Sequence, residues 1–145
     1  MSNVTQTLQT NNQLTNNYDV SKIFVWQNRF NDASYTNGGG APVTLVAGTV
    51  MGRITATGLV VPLVSTAVDG SQIPVGILNQ DVVVAPGATM NVSLCNQGDV
   101  VESLLTFSNG TDTMDTTVSG RKLRDHVQAQ GIHLVGGTDL TGFDN

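Results

Sequence analysis

Short β-branched runs separated by glycines fill the sequence from residue 43 to residue 107. The stretch VAGTVMGRITATGLVVPL, residues 46 to 63, contains a single charged side chain and three glycines. Val, Ile and Thr favour strands, whereas Gly and Pro interrupt them. Turn signals at intervals of about 8–12 residues are typical of a small barrel or sandwich. The expected strands cover residues 43–50, 53–56, 59–63, 75–78, 81–84, 89–95 and 99–107.

The sequence GRKLRDHVQAQG, residues 120 to 131, predicts one helix of about three turns. Leu123 and Val127 lie four residues apart and share a face, and Gly131 is placed to end the helix. A strand over residues 132–135 follows. The predicted fold class is therefore mainly β, a small β-barrel or sandwich with one short C-terminal helix and a flexible N-terminal arm.

We divide the chain into an arm (residues 1–17), an aromatic strand segment with a glycine-rich linker (residues 18–42) and a β-rich domain (residues 43–145). After Met1 the arm is Asn, Gln, Thr and Ser except for Val4, Leu8 and Leu14, and so little of it is apolar that burial cannot offset an ordering cost of about 1–2 kcal/mol per residue. Either it pairs as an added strand with the sheet edge of a partner, or it has no role. Its candidate contact residues are Val4, Leu8 and Leu14.

Five of the seven aromatic residues lie in the second segment, namely Tyr18, Phe24, Trp26, Phe30 and Tyr35. Residues 23–26 predict a short strand with both faces covered, Phe24 and Trp26 pointing to one side. These aromatics pack in the core or form a subunit contact, because association surfaces favour aromatic residues. Phe24, Trp26 and Phe30 are the candidate interface residues on this segment.

Three basic residues, Arg121, Lys122 and Arg124, lie at the start of the predicted helix and make up half of the Lys and Arg total. Cations in a first helical turn oppose the helix dipole by about 0.3–1 kcal/mol each, so helix stability does not explain them. Either they form a solvated face or they pair with acidic neighbours, since residues 54–120 hold six acidic side chains and no basic one. We also consider them candidates for a subunit interface.

The charge balance disfavours some classes of partner. Six basic residues against eleven acidic ones give a net charge of −5, which opposes binding to nucleic acid or to anionic membranes. The start of the chain has no basic, apolar leader, and no stretch reaches the ~18 apolar residues of a membrane helix, so synthesis in a host cytoplasm is expected. The glycine run of residues 37–42 lacks the helix and lysine that follow a phosphate-binding loop, so we interpret it as a linker.

No constellation of residues predicts catalysis, a cofactor or a metal. The lone Cys95 is expected to be a small buried residue on a strand, and His126 and His133 are expected at the surface, away from any nucleophile. The carboxylate pairs Asp99 with Glu102 and Asp112 with Asp115 lie beside turn residues and are weak candidates. The loop NGTDTMD supplies too few oxygen ligands for calcium. We expect a structural protein.

Several motifs in order resemble the head decoration proteins of tailed bacteriophages, the family of the lambda capsid-stabilising protein. The resemblance covers residues 43–136, whereas the aromatic segment of residues 18–35 has no matching part. The residues that carry it are the L-x-AGTV-x-G pattern at 45–52, the strand at 58–62, Asp69 with Gly70, PVGIL at 74–78 followed by Asp81, GDVV at 98–101, and LRDHVQAQGIHL at 123–134.

This resemblance implies a small β-tulip-like domain that forms a homotrimer on the exterior of the virion capsid. There it would bridge major capsid protein subunits and resist the pressure of packaged DNA, with the N-terminal arm ordered by strand pairing on the shell. One alternative is a head-fibre, receptor-binding or glycan-binding module, for which Trp26 would be an exposed platform. Another is an enzyme with a deep pocket lined by His126 or His133.

Overall fold

We describe residues 23–136 from a computed structural model of the chain. The predicted arm, with Val4, Leu8 and Leu14, lies outside the described residues, and so do residues 137–145.

Short strands make up most of the described part of the chain. The strands are β1 (Phe24–Thr36), β2 (Val43–Leu45), β3 (Val50–Arg53), β4 (Val60–Pro62), β5 (Pro74–Leu78), β6 (Val82–Val84), β7 (Thr89–Val101), β8 (Thr117–Val118), β9 (Arg121–Lys122) and β10 (Ile132–Val135). A single-turn 3₁₀ helix covers Glu102–Leu104, and the α-helix α1 covers Leu123–Gln130.

The main sheet has six strands. Five of them run in the order β1-β7-β5-β3-β4 with antiparallel pairing, and β10 pairs with β7 in parallel. Two small two-stranded sheets, β2-β6 and β8-β9, complete the described fold. The sheets are open, and the predicted class, mainly β with one short helix, is confirmed.

Two clusters of buried side chains form the core. In the first, Leu123 and Val127 of α1 pack against Val50, Ile77 and Val100 of the main sheet. This contact explains the four-residue spacing on the helix, because both residues lie on the face that α1 turns to the sheet. The second cluster lies on the other face of the main sheet, since consecutive strand residues fall in different clusters, and it includes Tyr35, Met51, Val60, Leu78, Val92 and Leu94.

The helix ends as the sequence predicts. Gly131 has φ 106°, and its N–H donates to the carbonyls of Val127 and Gln128, which is how a left-handed residue closes a helix. The start differs from the prediction, because Arg121 and Lys122 form β9 and pair with β8 instead of entering the helix. Only Arg124 of the basic trio lies in α1.

Four strand predictions need correction. The strand expected over 43–50 is divided, because a turn at residues 47–48 separates β2 from β3 and the two strands belong to different sheets. Residues 54–58 form a turn, closed by a hydrogen bond from Gly58 N to Ile54 O, where a strand over 53–56 was expected. The predicted strand over 99–107 ends at Val101, where the 3₁₀ helix begins. The predicted break at Gly98 is absent, since β7 continues through it. The sequence around Gly98 favours a turn, and pairing with strands on both sides of β7 overrides that preference.

Candidate docking surfaces

The first half of β1 is bulged against β7. The register shifts between Phe24 and Trp26, between Trp26 and Arg29, and again between Arg29 and Phe30. Gln27 has φ 51°, which is uncommon for a residue with a side chain. A bulge of this kind redirects side chains, and here Val25, Trp26 and Gln27 are exposed in succession.

Gly98 on β7 makes this bulge possible. Its φ is 107°, and a Cβ atom placed there would lie 2.7 Å from Asn28 Cα and from the carbonyl oxygens of Trp26 and Gln27. Asn28 holds the bulge from the other side, since its amide donates to Asp99 O at 3.0 Å and to Cys95 Sγ at 3.6 Å. Glycine at position 98 is therefore required by both conformation and space.

The bulge leaves Trp26 63% exposed. The prediction that residues 23–26 form a strand with both faces covered was therefore wrong. Ile23 is buried and Phe24 packs against the first core cluster, whereas Val25 and Trp26 are turned to solvent. The cause is the register shift between Phe24 and Trp26, which breaks the alternation that places residues i and i+2 on one face.

A row of three residues crosses the neighbouring strands β1, β7 and β10. We call this row, which consists of Trp26, Asp99 and His133, the Trp26 surface. Trp26 is the register partner of Asp99 on β7, and Asp99 is the register partner of His133 on β10. His133 Nδ1 lies 3.4 Å from Asp99 Oδ1, and the His133 side chain is 70% exposed. The surface thus combines a flat apolar ring with a carboxylate and an imidazole.

Phe30 adds a second exposed aromatic ring, on the edge of the first core cluster. It is 40% exposed and contacts Phe24 edge-to-face, with the ring centroids 5.5 Å apart. Such a pair orients both rings. Of the three aromatic residues proposed for a subunit contact, Trp26 and Phe30 are exposed and Phe24 supports Phe30 from the half-buried side.

Arg124 forms an ion-pair network within the chain. Its guanidinium donates to both oxygens of Glu102 at 2.9 Å and to Asp115 Oδ1. These hydrogen bonds, the one to Glu102 above all, raise the pKa of Arg124 above its ordinary value. Lys122 Nζ is 3.8 Å from Asp115, and Arg121 donates to the carbonyl of Asp125. Pairing with acidic neighbours, one of the two expectations, therefore holds for Arg124 and Lys122.

A loop that the sequence analysis did not single out exposes another apolar residue. Ser65 donates from its N–H and its hydroxyl to Asp112, at 2.8 and 2.6 Å. Asp69 accepts both the N–H and the hydroxyl of Ser71 at the far end of the loop. Between these hydrogen-bonded ends Val68 is 94% exposed. Aspartate followed two residues later by serine, as in Asp69 and Ser71, is a local turn signal that could have predicted the far end of the loop, whereas the contact of Ser65 with Asp112 joins residues distant in the sequence.

The residues weighed for chemistry do not converge. Asp99 faces His133, Glu102 and Asp115 face Arg124, and Asp112 faces Ser65, so neither carboxylate pair shares a site. No group of three His, Cys, Asp or Glu side chains within residues 23–136 could hold a metal ion. A cleft of about 390 Å³ is lined by residues between Glu102 and Met114, and neither histidine lines it.

Cys95 and His126 occupy structural positions. Cys95 is buried on β7 as expected, and burial raises the pKa of its thiol. His126 is half-buried, with Nε2 2.9 Å from Val118 O, so it is less exposed than predicted. No helix among the described residues is long and apolar enough to cross a membrane.

Comparison with known proteins identifies the family. The sequence model for the bacteriophage lambda head decoration protein D family matches residues 24–126, which is most of the chain. A search of curated proteins found no match. The chain belongs to this family of phage head decoration proteins, which places it on the capsid of a virion.

The matched region differs in its bounds from the resemblance found in the motifs. It begins at Phe24, so the family pattern includes β1 with Phe24, Trp26, Phe30 and Tyr35, a segment for which the motifs alone predict no counterpart. It ends at His126, within α1. The bulged strand that carries Trp26 is thus part of the family domain.

Proposed function

We propose that the protein is a structural component of the virion that assembles as a homotrimer on the outside of a tailed-phage capsid and bridges neighbouring major capsid protein subunits. The family match over residues 24–126 is the observation that carries this proposal. A trimer that engages several capsid subunits at once gains avidity, so each contact can be weak. Because only 12% of the residues are charged, binding should depend little on salt.

Trp26 and Phe30 are the proposed centre of the contact between subunits. Exposed aromatic rings held in a fixed orientation contribute much of the binding energy at protein interfaces. Trp26 is fixed by the Gly98 bulge, and Phe30 is fixed by Phe24. Arg121 and Lys122, both exposed, would lie at the rim of this contact, and Arg124 would act by keeping α1 in place through Glu102.

The N-terminal arm is the proposed contact with the major capsid protein. Ile23 is buried, and its carbonyl accepts the N–H of Val101 at 2.9 Å, so the preceding residues join the domain beside the end of β7. Leu104, 42% exposed, lies at the same end. We propose that residues 1–17 pair there as an added strand with the capsid protein, where main-chain hydrogen bonds supply affinity and Val4, Leu8 and Leu14 supply side-chain contacts.

Binding to expanded capsids that lack the decoration protein tests this function. The full-length chain should bind them saturably and raise the temperature at which the shells break. Replacing Val4, Leu8 and Leu14 together by Ser should weaken binding without changing the melting temperature of the free protein. The matched control replaces Thr5, Thr7 and Thr10 by Ser and should bind normally. Absence of saturable binding by the unmodified protein would refute the proposal.

A second candidate function is supported by the Trp26 surface. An exposed indole beside a carboxylate and an imidazole can stack on a sugar ring and hydrogen-bond its hydroxyls. The chain would then act as a head-fibre or glycan-binding module. Decorated particles and the Trp26→Ala variant should be compared on a panel of bacterial surface glycans. Glycan retention that the substitution abolishes, in trimers that remain intact, would favour this candidate over a subunit contact.

A further inference from the structure

Two Asn-Gly pairs occur in the sequence, Asn37-Gly38 and Asn109-Gly110, and their asparagines differ in burial. Asn37 is 2% exposed, and its amide donates to Ala41 O at 2.8 Å and to Val84 O at 3.0 Å. Asn109 is exposed on the loop between the 3₁₀ helix and β8. Asparagine followed by glycine is the sequence most prone to cyclise, because no side chain hinders attack by the glycine nitrogen.

The contacts of Asn109 favour this cyclisation. Its side-chain oxygen Oδ1 accepts the backbone N–H groups of Thr111 and Asp112, each at 3.1 Å. Asn37 Oδ1 accepts the corresponding N–H, that of Gly39, at 3.0 Å, so the two sites differ in the second N–H donor at Asn109 and in the burial of the Asn37 side chain. Attack on Cγ of Asn109 develops negative charge on its Oδ1, and two N–H donors already directed at that oxygen stabilise such a charge.

Two hydrogen bonds must break for the reaction, and both lie in the exposed loop: that of Asn109 Nδ2 to Asp112 Oδ2 and that of Gly110 N–H to Phe107 O. A Cβ placed on Gly110 would meet no atom within 4 Å, so the glycine nitrogen can be approached. Gly110 N–H donates to Phe107 O at 3.0 Å, and in an exposed turn this bond can be exchanged for one to water at small cost. In contrast, Asn37 would have to leave its buried hydrogen bonds before its amide could react.

We propose that Asn109 is a site of spontaneous self-modification in the folded protein and that Asn37 is protected. The nitrogen of Gly110 attacks Cγ of Asn109, the new N–C bond closes a succinimide ring, and the bond from Cγ to Nδ2 breaks. The amide leaves as ammonia and takes the proton lost by the Gly110 nitrogen. Water then opens the ring to give aspartate or isoaspartate at position 109.

The modification alters the neighbouring loop. Asn109 Nδ2 donates to Asp112 Oδ2 at 2.8 Å, and Asp112 in turn binds Ser65. After conversion a second carboxylate replaces this donor, so the two carboxylates repel each other. The hydrogen bonds to Ser65 weaken, and the loop that exposes Val68 becomes more mobile. A protein that persists on a particle without replacement would accumulate this change with age.

Peptide mass spectrometry of the full-length protein tests the proposal. Aliquots are kept folded, or unfolded in urea, at mildly alkaline pH, and conversion at each Asn-Gly pair is followed by its mass gain of one dalton. In urea both pairs should convert at similar rates. In the folded protein Asn109 should convert while Asn37 is slower by about tenfold or more, since it reacts only after local opening. Folded protein in which Asn109 is as inert as Asn37 would overturn the proposal.

Two glycine variants provide controls, of which only Gly110→Ala places alanine in a left-handed conformation, at φ 71°. Gly110→Ala should abolish conversion at Asn109 over the same period. Gly38→Ala, whose new Cβ would also meet no atom within 4 Å, should leave the Asn109 rate unchanged. Hydrogen exchange should show that the Ser65 amide loses protection in converted protein, and unchanged protection would refute the proposed effect on the loop.

Discussion

The two halves of β1 pair with the same strand and do so in different ways. From Phe30 to Thr36 each residue faces one residue of β7, Tyr35 is buried, and Thr36 bonds Thr89 at 2.7 Å. From Phe24 to Arg29 the register shifts repeatedly and Trp26 is directed to solvent. One strand thus joins a regular segment that stabilises the sheet to an irregular segment that exposes an aromatic side chain.

This difference separates the segment that stabilises the sheet from the segment proposed to bind a partner. In the regular half, cross-strand pairs and the buried Tyr35 lower the free energy of the folded state. In the bulged half, left-handed backbone at Gln27 and an exposed indole cost free energy, and the contacts of Gly98 and Asn28 hold them in place. The bulge also interrupts the row of backbone groups on β1, which discourages unwanted pairing at that edge.

The largest effect on stability is expected for Tyr35→Ala in the regular half. Removing this ring leaves a cavity in the second core cluster and should lower the free energy of unfolding by about 3 kcal/mol. Urea denaturation measures the change. Tyr35→Phe keeps the ring and should cost less than about 1 kcal/mol. A small loss from the alanine variant would show that the regular half is not the stabilising one.

A second prediction concerns the bulge. Gly98→Ala places a methyl group 2.7 Å from three backbone atoms and should cost about 2 kcal/mol or more in unfolding free energy. Gly87→Ala is the control, since its φ of 74° is also left-handed but no atom lies within 4 Å of the new Cβ. That variant should cost only about 1 kcal/mol. Equal losses in the two variants would mean that the bulge does not depend on close approach at Gly98.

Several features of the fold could be predicted from local sequence. The apolar runs at Pro74–Leu78 and Ile132–Val135 became strands, and the helix stopped at Gly131. In these segments the residue preferences and the tertiary contacts agree, and single-sequence reasoning is reliable where they do. Membership of the decoration protein family could also be predicted from the sequence, because the prediction depended on the order of the motifs along the chain.

The bulge could not be predicted, because it depends on a contact between distant residues. The conformation at Gln27 is set by Gly98, more than seventy positions away, and nothing in the local sequence of β1 reveals it. The same holds for the bond between Ser65 and Asp112. The alternation of side chains along a strand predicted that Phe24 and Trp26 lie on the same face. This alternation fails wherever an extra residue enters a strand.

A third prediction uses pH to disturb a loop remote from β1. Partial burial raises the pKa of the Asp112 carboxyl, but hydrogen bonds from Ser65 and Asn109 together lower this pKa by a larger amount. The resulting pKa lies below 3.8. A lowered pKa gives stability that is present above 3.8 and is lost as the pH falls through the folded value. Hydrogen exchange at falling pH should therefore show early loss of protection at Ser65, with β1 still protected. Asp112→Asn should remove this pH dependence, and simultaneous loss in β1 would contradict it.

The smallest effect on stability, and the sharpest division between the two halves, is expected for Trp26→Ala. Because 63% of the indole is already in solvent, its removal should change the free energy of unfolding by less than about 1 kcal/mol. Val83→Ala is the matched control, since Val83 has the same exposed fraction but lies on β6, away from the proposed contact. Both variants should have the melting temperature of the unmodified protein.

In sedimentation, only Trp26→Ala should shift the protein toward monomers, because an aromatic anchor at the centre of an interface carries much of the affinity of that interface. Trimers that form equally well without the indole would place the subunit contact elsewhere and leave the bulged half of β1 free for another ligand.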